Sequence, residues 1–361
     1  MAILGFLGFF AWLQHSEPLA YYASAQEDRA LEWASFWSFL LAGAVFAVAA
    51  HRQHRARGGF PWFLLGVGVF CFIVAMEEIS WGQRVLGYQP PEYFLAANYQ
   101  QEINIHNIAD QGLRMWTFRA IILGYGVLLP LLSLSAPVRR LLDRAGIISP
   151  PIELTPSMFA IFWLHLTYPW KFTGEISECA LGFGFLFIAM ANASDGRNAR
   201  QASLFRAAFL PALVVLLGFS TAAWSQNRQA GDPHLVDHAR AETKALAADL
   251  TRQTEDGEPD SITTCGLHKR LFTFVQTRES ARPLEQGSFA ALVGEGLPPD
   301  RAEYFLDPWS SPYWVRDRCD RSESRRVVFV YSFGPNRARD SSRWKILGDD
   351  IGYYVVERPA R

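Results

Sequence analysis

The sequence predicts an all-α membrane helix bundle of about seven helices, followed by a small α+β water-soluble domain. Apolar runs close to the length of a membrane-spanning helix recur over the first 224 residues, and the hydropathy falls after Trp224. Charge is almost balanced, with 34 basic and 35 acidic residues and a net charge of -1. This balance argues against nucleic acid as a partner, because such binding depends on an excess of positive charge.

The longer apolar runs occur at about 31–50, 60–76, 115–136, 154–170, 176–193 and 207–224. A helix needs roughly 20 apolar residues to cross the hydrocarbon core. A shorter run at 2–14 is either a first helix or the core of a signal peptide, since Ala23-Ser24-Ala25 resembles a cleavage site. No Lys or Arg precedes this run, which favours a retained helix and leaves cleavage within residues 1–25 as the alternative.

Arginine is unevenly distributed among the connections between these runs. Segments 51–59, 138–146 and 194–206 contain Arg52, Arg55, Arg57, Arg139, Arg140, Arg144, Arg197, Arg200 and Arg206. The alternate segments contain only Arg29, Arg84, Arg114 and Lys171. Basic loops stay in the cytoplasm, so the pattern predicts a multi-pass protein with a cytoplasmic N-terminus and its C-terminal domain on the outer side.

The domain division predicted from these patterns places a bundle at 1–206, with a polar outer loop at 77–114. A last membrane helix and the soluble domain follow at 207–361. Within the soluble part, residues 235–253 have a helical period, and 326–332 and 351–357 have the composition of strands. Cys265 and Cys319 both lie there and would form a disulfide in an oxidising compartment.

Two segments of the soluble part resemble a known family. Residues 304–314 read YFLDPWSSPYW and residues 330–336 read VYSFGPN. They are similar to the DPWGxPY and Y-x-x-S-x-G motifs of the major pseudopilins of type II secretion. The resemblance implies a pilin-like domain in the periplasm of a bacterium, anchored in the inner membrane. No prepilin peptidase site precedes residue 207, and the adjoining helix lacks the glutamate needed for assembly, so we expect no polymerisation.

The pseudopilin resemblance also implies a calcium site in the loop that follows the second motif. Here the acidic residues available to it are Asp340, Asp349 and Asp350. Calcium prefers six to eight oxygen ligands, several of them carboxylate. Arg337 and Arg339 lie in the same loop and oppose calcium binding. The alternative is that these aspartates only cap turns.

The most polar stretch of the bundle begins with Glu77-Glu78-Ile-Ser-Trp-Gly-Gln83. This motif resembles uncharacterised bacterial multi-pass membrane proteins, which implies no activity. Two adjacent carboxylates at a membrane interface are costly unless they are paired or hydrated, and Arg84 and Arg119 are candidate counter-ions. Glu102 and His106 would share one face if residues 102–106 were helical.

These groups predict a polar site that opens toward the outer surface. Glu78, His106 and Glu178 are the candidate catalytic residues, and Glu78, Glu102, His106 and His165 are candidate ligands for zinc or iron. The alternative is a set of ion pairs and hydrogen bonds that only fix the loop on the bundle. No HExxH, GxSxG or phosphate-binding loop is present, so the sequence names no substrate.

The predicted function follows from this site. The chain is expected to bind or hydrolyse a small or lipid-derived ligand, with the pilin-like domain capping the site and the lipid bilayer as its surroundings. The alternative is a non-enzymatic interaction module that docks to an envelope or secretion-system protein through a surface around Trp309 and Trp314.

Overall fold

The computed structural model of the protein describes residues 1–26, 29–86, 88–98, 100–108, 110–193, 199–229, 232–252, 265–276, 292–320, 322 and 324–358. The chain divides into two compact units. The first comprises Met1–Val85 and Asn104–Ala223, and the second comprises Leu86–Ile103 and Trp224–Arg361. Residues 86–103, predicted to belong to the outer loop of the bundle, lie in the second unit. Residues 207–223, predicted to belong with the soluble domain, lie in the first unit.

The first unit is built almost entirely from helices. They are α1 (Ala2–Ser16), α2 (Pro18–Ala25), α3 (Ala30–Arg57), α4 (Trp62–Glu78), α5 (Gln83–Leu86), α7 (Gln111–Ala120), α8 (Leu129–Leu132), α9 (Ala136–Ala145), α10 (Thr155–Thr167), α11 (Thr173–Ala193) and α12 (Ala199–Gln229), of which α5 and α12 each extend into the second unit. A π-helix, Ile121–Leu128, joins α7 to α8, and 3₁₀ turns occupy Ser80–Gly82 and Ile152–Leu154. The helical class predicted for this part is confirmed.

Four helical segments are long and apolar enough to cross a membrane in the part of the chain that the structure describes. They are Ala30–Ala56, Gly112–Leu132, Thr173–Ala193 and Phe209–Asn227. Every predicted apolar run forms a helix, but α1 and α10 have 15 and 13 residues, below the length of a full crossing, and α4, with 17, is shorter than the usual length of about 20. The membrane character of the chain is confirmed, and the count of seven crossings is not.

Helix α3 lies against three other helices through small residues. Gly43 on α3 faces Gly68 on α4, and Gly182 on α11 lies against Ser38. Gly218 on α12 lies against Ala34 in the same way. Small residues let helix backbones approach closely, which increases dispersion contacts where lipid supplies no hydrophobic driving force. The core of the unit is therefore organised around α3.

We expect Gly182→Ala to destabilise the first unit by about 1–3 kcal/mol, the usual cost of overpacking a close-packed core. A Cβ at this position would overlap Ser38 Oγ and lie 3.0 Å from Ser38 Cβ and 3.1 Å from Phe39 Cδ2. Rotation of Ser38 would not relieve the last two contacts, and its hydroxyl already donates to the Ser35 carbonyl oxygen. Denaturant titration of the full-length protein in detergent micelles measures the loss.

Gly66→Ala is the matched control for this substitution. Gly66 also lies within an apolar helix, but a Cβ there would meet no atom within 4 Å. We expect Gly66→Ala to leave the unfolding midpoint unchanged or slightly raised, because alanine is the better helix former. Equal midpoints for the two variants would contradict the proposed role of α3 packing.

The second unit combines helices with a four-stranded sheet. Its elements are α6 (Glu92–Ala97), α13 (Pro233–Arg252), β1 (His268–Arg270), α14 (Leu271–Gln276), α15 (Pro299–Glu303), β2 (Trp314–Asp320), β3 (Arg325–Ser332) and β4 (Ile351–Arg358). The strands pair antiparallel in the order β1-β2-β3-β4. The predicted helix at 235–253 and both predicted strands are confirmed, whereas β2 was not predicted.

The apolar face of α13 covers one side of this sheet. Leu246 and Leu250 are fully buried and share a core with Val315 on β2 and Val330 on β3. Leu95 from α6 enters the same core, and the Gln101 side chain donates to the Tyr304 carbonyl oxygen at 3.0 Å. Apolar burial and a buried hydrogen bond thus fix the segment 86–103 on the second unit, which its polar sequence did not indicate.

A disulfide joins Cys265 to Cys319 at the end of β2, with their Cα atoms 5.5 Å apart. The predicted pairing is confirmed. The bridge closes a segment 54 residues long, which by loop entropy contributes about 4 kcal/mol to the stability of the second unit.

Candidate functional site

A cavity of about 320 Å³ lies within the first unit. Its size falls at the lower end of the range for small-molecule sites, roughly 300–1,000 Å³. Side chains from α3, α4, α7, the π-helix, α11 and the loop before α7 line it. They are Phe39, Phe70, Val74, Glu77, Glu78, His106, Leu113, Arg114, Thr117, Phe118, Ile121, Glu178 and Leu181.

The lining is amphiphilic. Most of it consists of aliphatic and aromatic side chains, among them Phe70 and Leu181. The polar groups are three glutamates, one histidine, one arginine and one threonine. Glu78, His106 and Glu178, the three candidate catalytic residues, all line this cavity. Apolar walls with a few polar groups are the usual composition of a site that binds small molecules.

Glu77 holds the loop that contributes His106 to the cavity lining. After α4 the chain turns sharply, with positive φ at Ser80 and Trp81, and the Trp81 indole donates to Glu77 Oε1 at 2.6 Å. Glu77 Oε2 accepts from the backbone N–H groups of Ile105 at 2.6 Å and His106 at 3.1 Å. The carboxylate is thus occupied on both oxygens, and its role is to position the loop.

The same carboxylate orients the His106 imidazole. His106 Nδ1 lies 3.3 Å from Glu77 Oε2, and the histidine side chain is 41% exposed. A carboxylate at this distance favours the tautomer with its proton on Nδ1, which leaves Nε2 able to accept a proton. The histidine is therefore arranged as a base, with Glu77 as its positioning residue.

Glu78 and Glu178 form the other polar part of the lining. Glu78 ends α4 and Glu178 lies in the first half of α11, and both are half-buried. Glu78 lies within electrostatic range of Glu178, Glu175 and Glu32. The cavity thus brings together carboxylates from separate helices that the sequence could place only by their positions near helix ends.

The other two predicted metal ligands, Glu102 and His165, do not line the cavity. Glu102 belongs to the second unit, and residues 101–108 form bends and turns, so the expected helical face shared by Glu102 and His106 is absent. His165 is buried, with its ring 4.6 Å from that of Phe118, and does not line the cavity. Arg119 lies over Trp116 and donates to the His165 carbonyl oxygen, and the side chain of Arg84 lies outside the described residues.

The predicted zinc or iron ligands do not form a compact group. Among the described residues, only Asp340, Asp349 and Asp350 bring three acidic, histidine or cysteine ligand atoms within 4.8 Å of one another. Glu78, Glu178 and His106 line one cavity but are more widely spread than this. The three aspartates are those that the pseudopilin resemblance implies for calcium.

This aspartate cluster forms a hydrogen-bonded network in the second unit. Asp349 accepts from the Asn336 side chain at 2.5 Å, Asp340 accepts from the same amide at 3.0 Å, and Asp350 accepts from the Ser341 N–H at 2.7 Å. Burial is the main cause that raises the pKa of Asp349 to about 7 and the pKa of Asp350 to about 6.

The two arginines of this loop are directed toward other groups. Arg337 donates to the Trp309 carbonyl oxygen at 2.5 Å, and an Arg339 guanidinium nitrogen lies 3.4 Å from His268 Nδ1. Whether these arginines oppose calcium stays a prediction, because both remain in the same loop as the aspartates. The Asn336 side-chain N–H groups face the aspartates and its oxygen accepts from the Ala338 N–H at 2.7 Å, so the three carboxylates are the oxygen ligands that this cluster offers.

No family model matches this chain, and neither does any curated protein or solved structure. The resemblance to pseudopilins therefore stays a prediction based on the two quoted motifs. Those motifs do contact each other, because Asp307 of the first accepts a hydrogen bond from Ser332 of the second at 2.5 Å.

The tryptophans of the first motif are not available as a docking surface. Trp309 is 5% exposed and Trp314 is 9% exposed. Trp309 packs with Ala239 and Ile351, and the Trp314 ring stacks on that of Phe333 at 5.1 Å. The expected exposure of these two side chains is wrong, because they complete the core of the second unit, and docking to an envelope protein stays a prediction.

Proposed function

We propose that the first unit binds a lipid-derived amphiphile in its cavity, with the apolar chain against the hydrophobic wall and the headgroup at the glutamates. The amphiphilic lining is the observation that carries the proposal. A chain with membrane-spanning helices has lipids as its most abundant apolar neighbours. Burial of each methylene in an apolar wall contributes about 0.8 kcal/mol, so a chain of several carbons suffices for specific binding.

The site also carries groups for proton transfer to a bound ligand. His106, oriented by Glu77, could accept a proton from water or a hydroxyl group, and Glu78 or Glu178 could donate one. These are the components of acid–base hydrolysis. Binding is the function that the cavity supports best. Hydrolysis of the bound ligand would be a second activity, with His106 as its base.

We further propose that the second unit lies outside the cytoplasm of a bacterial cell, at the outer face of the inner membrane. The Cys265–Cys319 disulfide supports this orientation, because such bridges persist in oxidising compartments. The arginine-rich ends of α3 and α9 support it independently, although Arg197, Arg200 and Arg206 have side chains outside the described residues.

In the second unit, we propose that Asp340, Asp349 and Asp350 hold a calcium ion. The ion would neutralise three clustered carboxylates and join the loop after β3 to the start of β4. This role is structural. The alternative function, an envelope interaction module, would need a surface other than the buried side chains of Trp309 and Trp314.

The cavity is tested with a photoreactive probe, a dodecanol that carries a diazirine on its chain, in vesicles that contain the full-length protein. We expect crosslinks to concentrate on the cavity wall around Val74 and Leu181. Val74→Trp fills the space and should reduce these crosslinks about tenfold, the effect of about 1.4 kcal/mol of lost binding.

Val69→Trp is the matched control, because Val69 lies on the same helix and is exposed outside the cavity. It should leave the crosslinks unchanged. Labels spread evenly over the exposed helix faces, and equal in both variants, would show that the cavity binds no amphiphile.

A further inference from the structure

The cavity lining contains more carboxylates than cations. Glu77, Glu78 and Glu178 line it, against one arginine, Arg114. Arg114 is exposed and donates to the Asn107 side chain at 2.8 Å. The fifth ionisable group, His106, is held by Glu77. The lining is therefore negative overall.

The carboxylates differ in how far their hydrogen bonds are satisfied. Glu77 accepts from the Trp81 indole and from two backbone N–H groups. Glu178 makes no hydrogen bond or ion pair with any residue that the structure describes. Glu178 lies within electrostatic range of Glu78, a like charge. Half-buried carboxylates placed together repel each other, so a cation between them would be stabilised.

The spacing of these groups favours an organic cation over a metal ion. A zinc or iron ion needs ligand atoms about 2 Å from one point. The cavity groups do not supply three ligand atoms within 4.8 Å of one another among the described residues. An ammonium group is larger, and it can contact two carboxylates that do not touch. An apolar wall next to these carboxylates suits the chain attached to such a headgroup.

We propose that the cavity selects amphiphiles with a cationic headgroup, an amine or a quaternary ammonium, held between Glu78 and Glu178. This selectivity rests on the proposed function, binding of an amphiphile in the same cavity. The negative end would reject fatty acids and other anionic chains, because a carboxylate headgroup would add a further like charge.

The test compares four probes with the same diazirine dodecyl chain and different headgroups: primary amine, trimethylammonium, hydroxyl and carboxylate. Crosslinking to the cavity wall of the full-length protein is measured against probe concentration in uncharged vesicles. We expect both cationic probes to label at concentrations at least tenfold lower than the hydroxyl probe, and the carboxylate probe to label least.

Glu178→Gln should reduce the preference for the cationic probes over the hydroxyl probe about tenfold and leave labelling by the hydroxyl probe unchanged. Glu153→Gln removes the same charge from an exposed position in a 3₁₀ turn outside the cavity and should change neither. Long-range attraction would lower cationic labelling equally in both variants, and that result would overturn the proposal.

The possible failures separate the two proposals. Hydroxyl labelling of the wall without any preference for the cationic probes would overturn the headgroup selectivity and keep the proposed function. Absence of wall labelling by all four probes would overturn the proposed function itself.

Discussion

Asp307→Ala is expected to cost the second unit about 3 kcal/mol or more, the effect of leaving several buried polar groups without a partner. Asp307 is fully buried. One oxygen accepts from the N–H groups of Trp309 at 3.0 Å and Ser311 at 2.8 Å. The other accepts from the Ser332 hydroxyl at 2.5 Å, which in turn accepts from the Gly334 N–H at 2.8 Å. One side chain thus fixes two turns.

The measurement is amide hydrogen exchange along β3 in the full-length protein, since these amides report opening of the sheet. A loss of 3 kcal/mol corresponds to exchange about 100-fold faster. Asp307→Asn keeps the shape and one acceptor oxygen, so we expect a smaller effect. Asp237→Ala, at a site 71% exposed, is the control and should stay within about 0.5 kcal/mol.

Equal exchange in the Asp307→Ala protein and the Asp237→Ala control would show that this carboxylate does not hold the turns together. The result would also remove the structural explanation for the D-P-W motif of residues 307–309.

The stability of the second unit is expected to fall as pH rises, and calcium is expected to restore the stability lost at high pH. Burial raises the pKa of Asp307 and of Asp350 to about 6, and the pKa of Asp349 to about 7. An unfolded aspartate has a pKa of about 3.9. Between these values the folded unit binds more protons than the unfolded chain, so its stability falls as pH rises from about 4 to about 7.

We therefore expect β3 exchange, corrected for its intrinsic pH dependence, to show a more stable unit at pH 5 than at pH 8. Calcium at 1 mM and pH 8 should restore stability by about 2.7 kcal/mol if that concentration is 100 times the Kd. Asp349→Asn should abolish the calcium effect, and magnesium, which prefers a stricter octahedral site, should give less.

Two outcomes separate the parts of this prediction. Exchange that is unchanged by calcium but still sensitive to pH would remove the calcium site and leave a protonated carboxylate network. A second unit that is equally stable at pH 5 and pH 8 would contradict the raised pKa values themselves.

Segment length and apolar content were sufficient to predict the helices of the first unit. A run of apolar residues must satisfy its own backbone hydrogen bonds in lipid, and a helix does so locally. The run at 176–193, for example, forms α11, Thr173–Ala193. The strands around Val330 and Tyr353 were likewise predicted from β-branched and aromatic residues. The number of full crossings was not, because α4 and α10 end early.

The candidate site depended on side chains that separate helices bring together. The sequence placed Glu78, His106 and Glu178 near helix ends, and the structure lines one cavity with them. The sequence could not show that the neighbouring Glu77 accepts hydrogen bonds from a loop 28 residues further along the chain. Nor could it show that Glu102 belongs to the other unit. Nothing local distinguishes Glu77 from Glu78.

The apolar runs and their spacing thus account for the helices and strands, and the presence of only two cysteines in the water-soluble part accounts for the disulfide. Which carboxylate is satisfied, which tryptophan is buried and where a cavity forms depend on contacts between residues far apart in the chain. Such contacts are set by the packing of whole helices and sheets, through small residues such as Gly182 and cores such as that around Leu246. Only the folded chain brings these distant residues together, so the sequence alone could not identify the contacts.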